Sequence, residues 1–165
     1  MNPETSANTS APAPAGRVFD GIDEFRSAVG EELGLGEWYE ITQEQVNAFA
    51  DVTEDWQWIH VDIERSQAGP YGATVAHGYL TLALIPRLGG GIFRVSGPRM
   101  AVNYGTNKVR FPHPVTVGSR IRARATLAEV TDVPAGVQAV VRYTIEIDGQ
   151  DKPACVAETV RVLVM

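Results

Sequence analysis

The sequence predicts an α+β chain in which an antiparallel sheet wraps one buried helix, and three observations predict it. From His77 to about Leu88 the residues are apolar on most faces, as in a helix with no solvent side. Arg120 to Leu127 and Val137 to Ile147 alternate apolar and polar positions with the period of half-buried strands. Asp148-Gly149 then marks a tight turn into a partner strand from Ala154 to Val164. Such a sheet has one apolar face to cover, and a helix laid across it is the simplest cover.

The elements follow in order. Met1 to Gly16 is rich in Ala, Pro, Ser and Thr without an apolar run, so residues 1–16 are expected to be a flexible tail and 17–165 one domain. The tail lacks the basic start and hydrophobic middle of a secretory signal. Gly21 to Gly34 places Ile22, Phe25, Val29 and Leu33 three or four apart, the spacing of a short amphipathic helix. Glu37 to Ile41 is strand-like. Thr42-Gln-Glu-Gln45 has the form of a capping box, and a helix from about Gln43 to Val52 should follow. Glu54 to Trp58 has no helical period, which leaves Asp55 and His60 in or just after a loop. Asp62 is suited to cap a brief helix through Gln67, and Gly69-Pro-Tyr-Gly72 is a turn. Pro86 should kink or end the apolar helix, and Gly89-Gly-Gly91 stops it. Arg99 to Phe111 opens the sheet.

Composition narrows the function classes. A chain of 165 residues with 44% hydrophobic and 21% charged residues is long enough for one real core. The net charge of -6 is spread among interspersed acids and bases, which argues against nucleic acid as a partner. The apolar stretch around Tyr79 to Leu88 is too short to span a membrane and carries Arg87. A lone Cys155 cannot form an internal disulfide, so a cytoplasmic setting is expected and the thiol is read as inert packing.

The chemistry gathers in two short segments. Asp55 and His60 stand five positions apart, and Ala76-His77-Gly78 opens the apolar helix downstream. A carboxylate and an imidazole can hold and deprotonate a water, and a backbone N–H at a helix start can receive charge developing on a carbonyl oxygen. No group of His, Cys, Asp and Glu has a sequence spacing that announces a metal. Trp56 and Trp58 flank the segment and are read as local packing or as the lining of a substrate entrance. Arg120, Arg122 and Arg124 share a strand face, which suggests a solvated face before a phosphate site; Lys108 and Arg110 are weak phosphate candidates. His113, between two prolines, is expected to be exposed.

Three segments carry a resemblance to a known family: Phe49 to Asp62, with its Asp-to-His spacing; Thr74 to Thr81; and Asn103 to Pro112. From about Val18 onward the chain resembles single-domain MaoC-like (R)-specific enoyl-CoA hydratases, and more narrowly the nodulation-protein-N-like subgroup. The resemblance implies a hot-dog fold, a curved antiparallel sheet around a long central helix, usually in dimers whose sheets join. It implies addition of water to trans-2-enoyl-CoA to give (R)-3-hydroxyacyl-CoA. It implies no metal or redox cofactor, coenzyme A being part of the acyl-CoA thioester substrate. By the same resemblance Asp55 and His60 are catalytic and Gly78 supplies the oxyanion N–H. The chain departs from the family pattern at Glu54, where Gly is common, at Gln57 and Trp58, where Asn-Pro is common, and at Pro86, where some members have Ser. Gln57 and Trp58 could alter the loop and the substrate entrance, and His77 is read as supporting the active-site loop or bonding the backbone instead of acting in catalysis. Which residue returns a proton to the α-carbon stays open. Two alternatives share the fold: an acyl-CoA thioesterase, and a non-catalytic acyl-binding or dehydratase subunit.

Overall fold

The structure is a computed structural model that describes residues 16–165. The tail expected over residues 1–16 lies outside the described residues except for Gly16. The chain runs β1 (Arg17–Phe19), α1 (Ile22–Ser27), β2 (Glu32–Leu35), β3 (Tyr39–Glu40), α2 (Gln43–Thr53), α3 (Trp58–Val61) and α4 (Ile63–Gln67). It continues through α5 (Gly78–Ala83), α6 (Ile85–Gly89), β4 (Phe93–Val95), β5 (Met100–Arg110), β6 (Arg120–Val133), β7 (Gly136–Ile147) and β8 (Cys155–Val164). The main sheet is antiparallel with strand order β2-β6-β7-β8-β5, and β3 also pairs with β6. β1 and β4 form a separate parallel pair that the sequence reading did not anticipate.

The alternation of the second half sets the inner face. Ile121, Ala123, Ala125 and Leu127 of β6 are buried, as are Val137, Ala139, Val141, Tyr143, Ile145 and Ile147 of β7. Opposite residues of adjacent strands share a face, so the partners of the β7 set on β8 are Leu163, Arg161, Thr159, Ala157 and Cys155. Two polar residues thus interrupt an otherwise apolar row. Leu80, Ile85 and Leu88 from α5 and α6 join the same core, each contributing about 1.5–3 kcal/mol by leaving water. Cys155 is fully buried, which pushes its thiol up to about 11 and fits inert packing.

The central helix runs in two consecutive pieces. The Leu84 N–H still reaches the Leu80 carbonyl and the Leu88 N–H the Leu84 carbonyl. Pro86 has no N–H to continue the ladder, and the break falls just before it. The helix expected over Gly21–Gly34 is a correction: α1 stops at Ser27, and its second half becomes β2. Gly30 and Leu127, and Leu127 and Glu31, exchange backbone hydrogen bonds, so pairing with β6 wins over a short helix whose Val29 is exposed. The helical turn α3 was likewise not expected from its sequence.

Candidate active site

α2 begins as the sequence implies. The Thr42 hydroxyl accepts from the Gln45 N–H, and the Gln45 side chain accepts in turn from the Thr42 N–H. The helix ends at Glu54, the one non-glycine among the described residues with positive φ, at 58°. This left-handed residue turns the chain so that the next position, Asp55, leaves the helix. Its N–H is held by the Ala50 carbonyl at 3.1 Å.

His60 sits on α3, 7% exposed. Its Nδ1–H donates to the Val75 carbonyl at 2.6 Å. A carbonyl can only accept, so this bond assigns the proton to Nδ1 and leaves Nε2 as an acceptor in the neutral ring. Burial lowers the pKa of His60 below 6.5, and the His77 ring lowers it further. The Val75 bond and Asp55 act in the opposite direction. His60 is thus held towards its neutral form.

His77 is buried behind this group. Its ring stacks on His60 with centroids 3.7 Å apart and planes 22° from parallel. Its Nε2–H donates to the Asp55 carbonyl at 3.0 Å, and the same nitrogen lies 4.0 Å from the Asp55 carboxylate. Nδ1 of His77 is buried without a partner. Gln43, which sequence reasoning passed over, ties the pieces together. Its Nε2 donates to the His60 carbonyl at 2.7 Å and its Oε1 accepts from Thr74 Oγ1 at 2.5 Å. Its position inside the capping-box segment is the only sequence signal it carries.

A carboxylate oxygen of Asp55 and one ring nitrogen each of His60 and His77 lie within 4.8 Å of one another. That is close enough for one water to touch two of them. It is also a three-donor set of the kind a divalent ion such as zinc accepts, a convergence that linear spacing did not reveal. The Asp55 side chain is 54% exposed.

His60 and Gly78 line a cavity of about 280 Å³ with Tyr71, Thr81, Phe111 and His113. His113 faces this cavity, where the sequence reading had it simply exposed. Gly78 is the first residue of α5, so its N–H has no preceding turn to bond. A Cβ there would stand 3.0 Å from the Phe111 ring, which gives the glycine a packing reason. Gln57 is exposed and contributes its backbone, its carbonyl accepting from the His60 N–H at 2.9 Å. The Trp58 ring packs under the Arg65 guanidinium at 4.2 Å, and Trp56 Nε1–H donates to Asp51 at 2.8 Å. Gln57, Trp58 and Trp56 all stand outside the cavity lining.

The basic residues separate into two groups. Arg120 pairs with Asp148, Arg122 with Glu146 at 2.7 Å, and Arg124 with Glu32 and Glu146. These are paired face residues. Lys108 and Arg110 line a smaller cavity of about 160 Å³ with Arg142 and Glu158. Among the described residues no helix is long and apolar enough to cross a membrane.

Comparisons with known proteins place the chain in a family. A family model described as the MaoC like domain matches residues 24–149. The chain is 54% identical over 145 residues to 3-hydroxyacyl-thioester dehydratase Z of Mycobacterium tuberculosis, covering 87% of this chain and 96% of the relative. It is 38% identical over 144 residues to Nodulation protein N of Rhizobium meliloti, covering 86% and 89%. The fold is similar to a crystal structure described as a monoamine oxidase regulatory protein from Archaeoglobus, with a TM-score of 0.73, 21% identity and coverage of 92% and 98%. By its matched residues, its relatives and its hot-dog architecture, the chain belongs to the MaoC-like dehydratase family.

Proposed function

We propose that this protein interconverts trans-2-enoyl-CoA and (R)-3-hydroxyacyl-CoA, using a water held between Asp55 and His60. The observation that carries the reading is the approach of the Asp55 carboxylate to the His60 imidazole, with their nitrogen and oxygen within 4.8 Å, beside a cavity that His60 and Gly78 line. Two acceptors, the carboxylate and the neutral Nε2, take both hydrogens of one water. Its oxygen lone pair is then free to attack the β-carbon. One water proton passes to this pair and is handed on to the α-carbon, while the Gly78 N–H receives the charge on the thioester oxygen. The proton inventory closes without a metal, so we assign no metal to the reaction although three donors converge. The substrate type is supported by the name of the relative at 54% identity, and the (R) outcome by the family resemblance.

Crotonyl-CoA in chelator-containing buffer tests the reading, with enoyl absorbance and free thiol followed in parallel. Hydration lowers the absorbance, releases no thiol and yields the (R)-3-hydroxy product. Thiol release in step with the absorbance would make the protein a thioesterase. Activity abolished by chelator and restored by zinc would give the three-donor set a metal.

A further inference from the structure

The inner face of the sheet carries a cation, Arg161, without a carboxylate partner among the described residues. Arg161 on β8 lies opposite Ala139 on β7 and Asn103 on β5, in the row that otherwise packs the core. Arg120, Arg122, Arg124 and Arg142 of the same sheet each pair with a carboxylate. Arg161 has none within 4.0 Å among the described residues, and its Nε is buried without a hydrogen-bond partner. The nearby Tyr143 hydroxyl, on the ring 5.8 Å from the guanidinium, is also buried and unpartnered. The residue as a whole is partly exposed, so its outer guanidinium nitrogens stay open to an anion while the shielded Nε is costly to leave without a partner.

Arg161 also lines a cavity of about 370 Å³, larger than the one at His60 and Gly78 and sharing no lining residue with it. Leu82, Ile85 and Pro86 form its apolar wall; Asn103, Thr106 and Thr159 stand with Arg161 on the other side. Among the described residues no acidic one lines it. The wall begins one helical turn beyond Gly78, and at 1.5 Å per residue Leu82 to Pro86 lie about 6–12 Å along the axis from the oxyanion N–H. An acyl chain leaving a thioester at Gly78 would reach this cavity with its far end.

We propose, resting on the acyl-thioester reading above, that Arg161 pairs with a carboxylate at the far end of the acyl chain, so that the protein favours ω-carboxy acyl thioesters. The apolar wall holds the methylenes. The guanidinium fork offers two parallel N–H donors to a carboxylate, with Asn103 and Thr159 beside it to complete the set.

The test uses saturated thioesters, which cannot be hydrated, so that binding is read apart from turnover. Octanoyl-CoA and suberyl-CoA carry the same coenzyme A and differ at the chain end. Calorimetry on the full-length protein should show suberyl-CoA binding at least about tenfold tighter, the scale of a charge-assisted pair. Arg161→Met should cut that advantage to less than about threefold, and Arg161→Lys should keep part of it. Equal affinities in the wild type would overturn the assignment, as they would if a second copy's acidic side chain already filled the site. An equal loss for both thioesters in Arg161→Met would overturn it in favour of a coenzyme A phosphate contact. Turnover of 2-octenoyl-CoA and its ω-carboxy counterpart separates the two proposals. Binding preference without hydration of either supports the Arg161 pairing and removes the hydratase reading. Hydration of both with no preference in binding or kcat/KM does the reverse.

Discussion

At the scale of single residues, the site rests on which nitrogen of which histidine holds a proton. The Val75 carbonyl fixes Nδ1–H on His60, and burial with the neighbouring His77 ring keeps the imidazole towards its neutral form. The pH dependence has a definite sign. A lowered pKa means the acceptor Nε2 is intact at and above pH 6.5 and is lost as pH falls through the lower, folded-state value. The acid limb of kcat/KM assigned to His60 should therefore lie below pH 6.5, where a pH–rate profile will place it. Folding stability moves in the same direction. The unfolded chain takes up this proton near 6.5 while the folded one resists it, so stability declines as pH drops through that window. Near-ultraviolet circular dichroism at each pH separates lost fold from lost acceptor. Asp55→Asn keeps the shape of the side chain but removes its basicity, and should lower kcat by at least about 10²-fold. Near-normal turnover of crotonyl-CoA by that variant would remove Asp55 from water activation.

At the scale of elements, the turn out of α2 carries backbone strain at Glu54. Glu54 adopts φ 58° and ψ 27°, a conformation that costs an L-residue with a Cβ roughly 1–2 kcal/mol. Glycine relieves this but loses more backbone freedom on folding, by roughly 0.5–1 kcal/mol. Glu54→Gly should therefore stabilise the fold by about 0.5–1 kcal/mol net, read as a raised urea midpoint with an unchanged slope. A lowered midpoint would mean that the Glu54 side chain makes a contribution larger than its strain. The α2 capping box and the Asp62 cap of α4, whose side chain accepts from the Arg65 N–H, were legible from sequence because a cap is a contact over three residues. The β1–β4 pair was not, since three-residue strands joined across some seventy positions leave no local pattern.

At the scale of the whole molecule, the main sheet ends on β2 at one side and on β5 at the other. Among the described residues β5 pairs only with β8, and nearly all of its residues are exposed, including Met100, Val102 and Tyr104 at 72%. Tyr79 on α5 is 71% exposed. An unpaired strand with apolar side chains is a template for a second copy. The protein is expected to be a homodimer, with masses from light scattering near twice 17.9 kDa at micromolar concentration. Tyr104→Lys should shift that mass towards the monomer, and a wild-type monomer at those concentrations would contradict the expectation.

The sequence by itself determined what depends on near neighbours: the period-two strands, the apolar helix and its interruption near Pro86, and the two caps. The family resemblance singled out Asp55 and His60, whose separation is short enough to read as a motif. Only the tertiary structure decided what those residues meet. His77 stacks on His60 from seventeen positions away, Gln43 bonds the His60 carbonyl and Thr74, and His113 turns into the cavity. Arg161 was passed over for the same reason. In the row Glu158-Thr-Val-Arg-Val it looks like one more polar position of an alternating strand, and only the register against Ala139 places it on the inner face. A strand's period says which residues share a face, but which face is covered is fixed by the helix that packs on it.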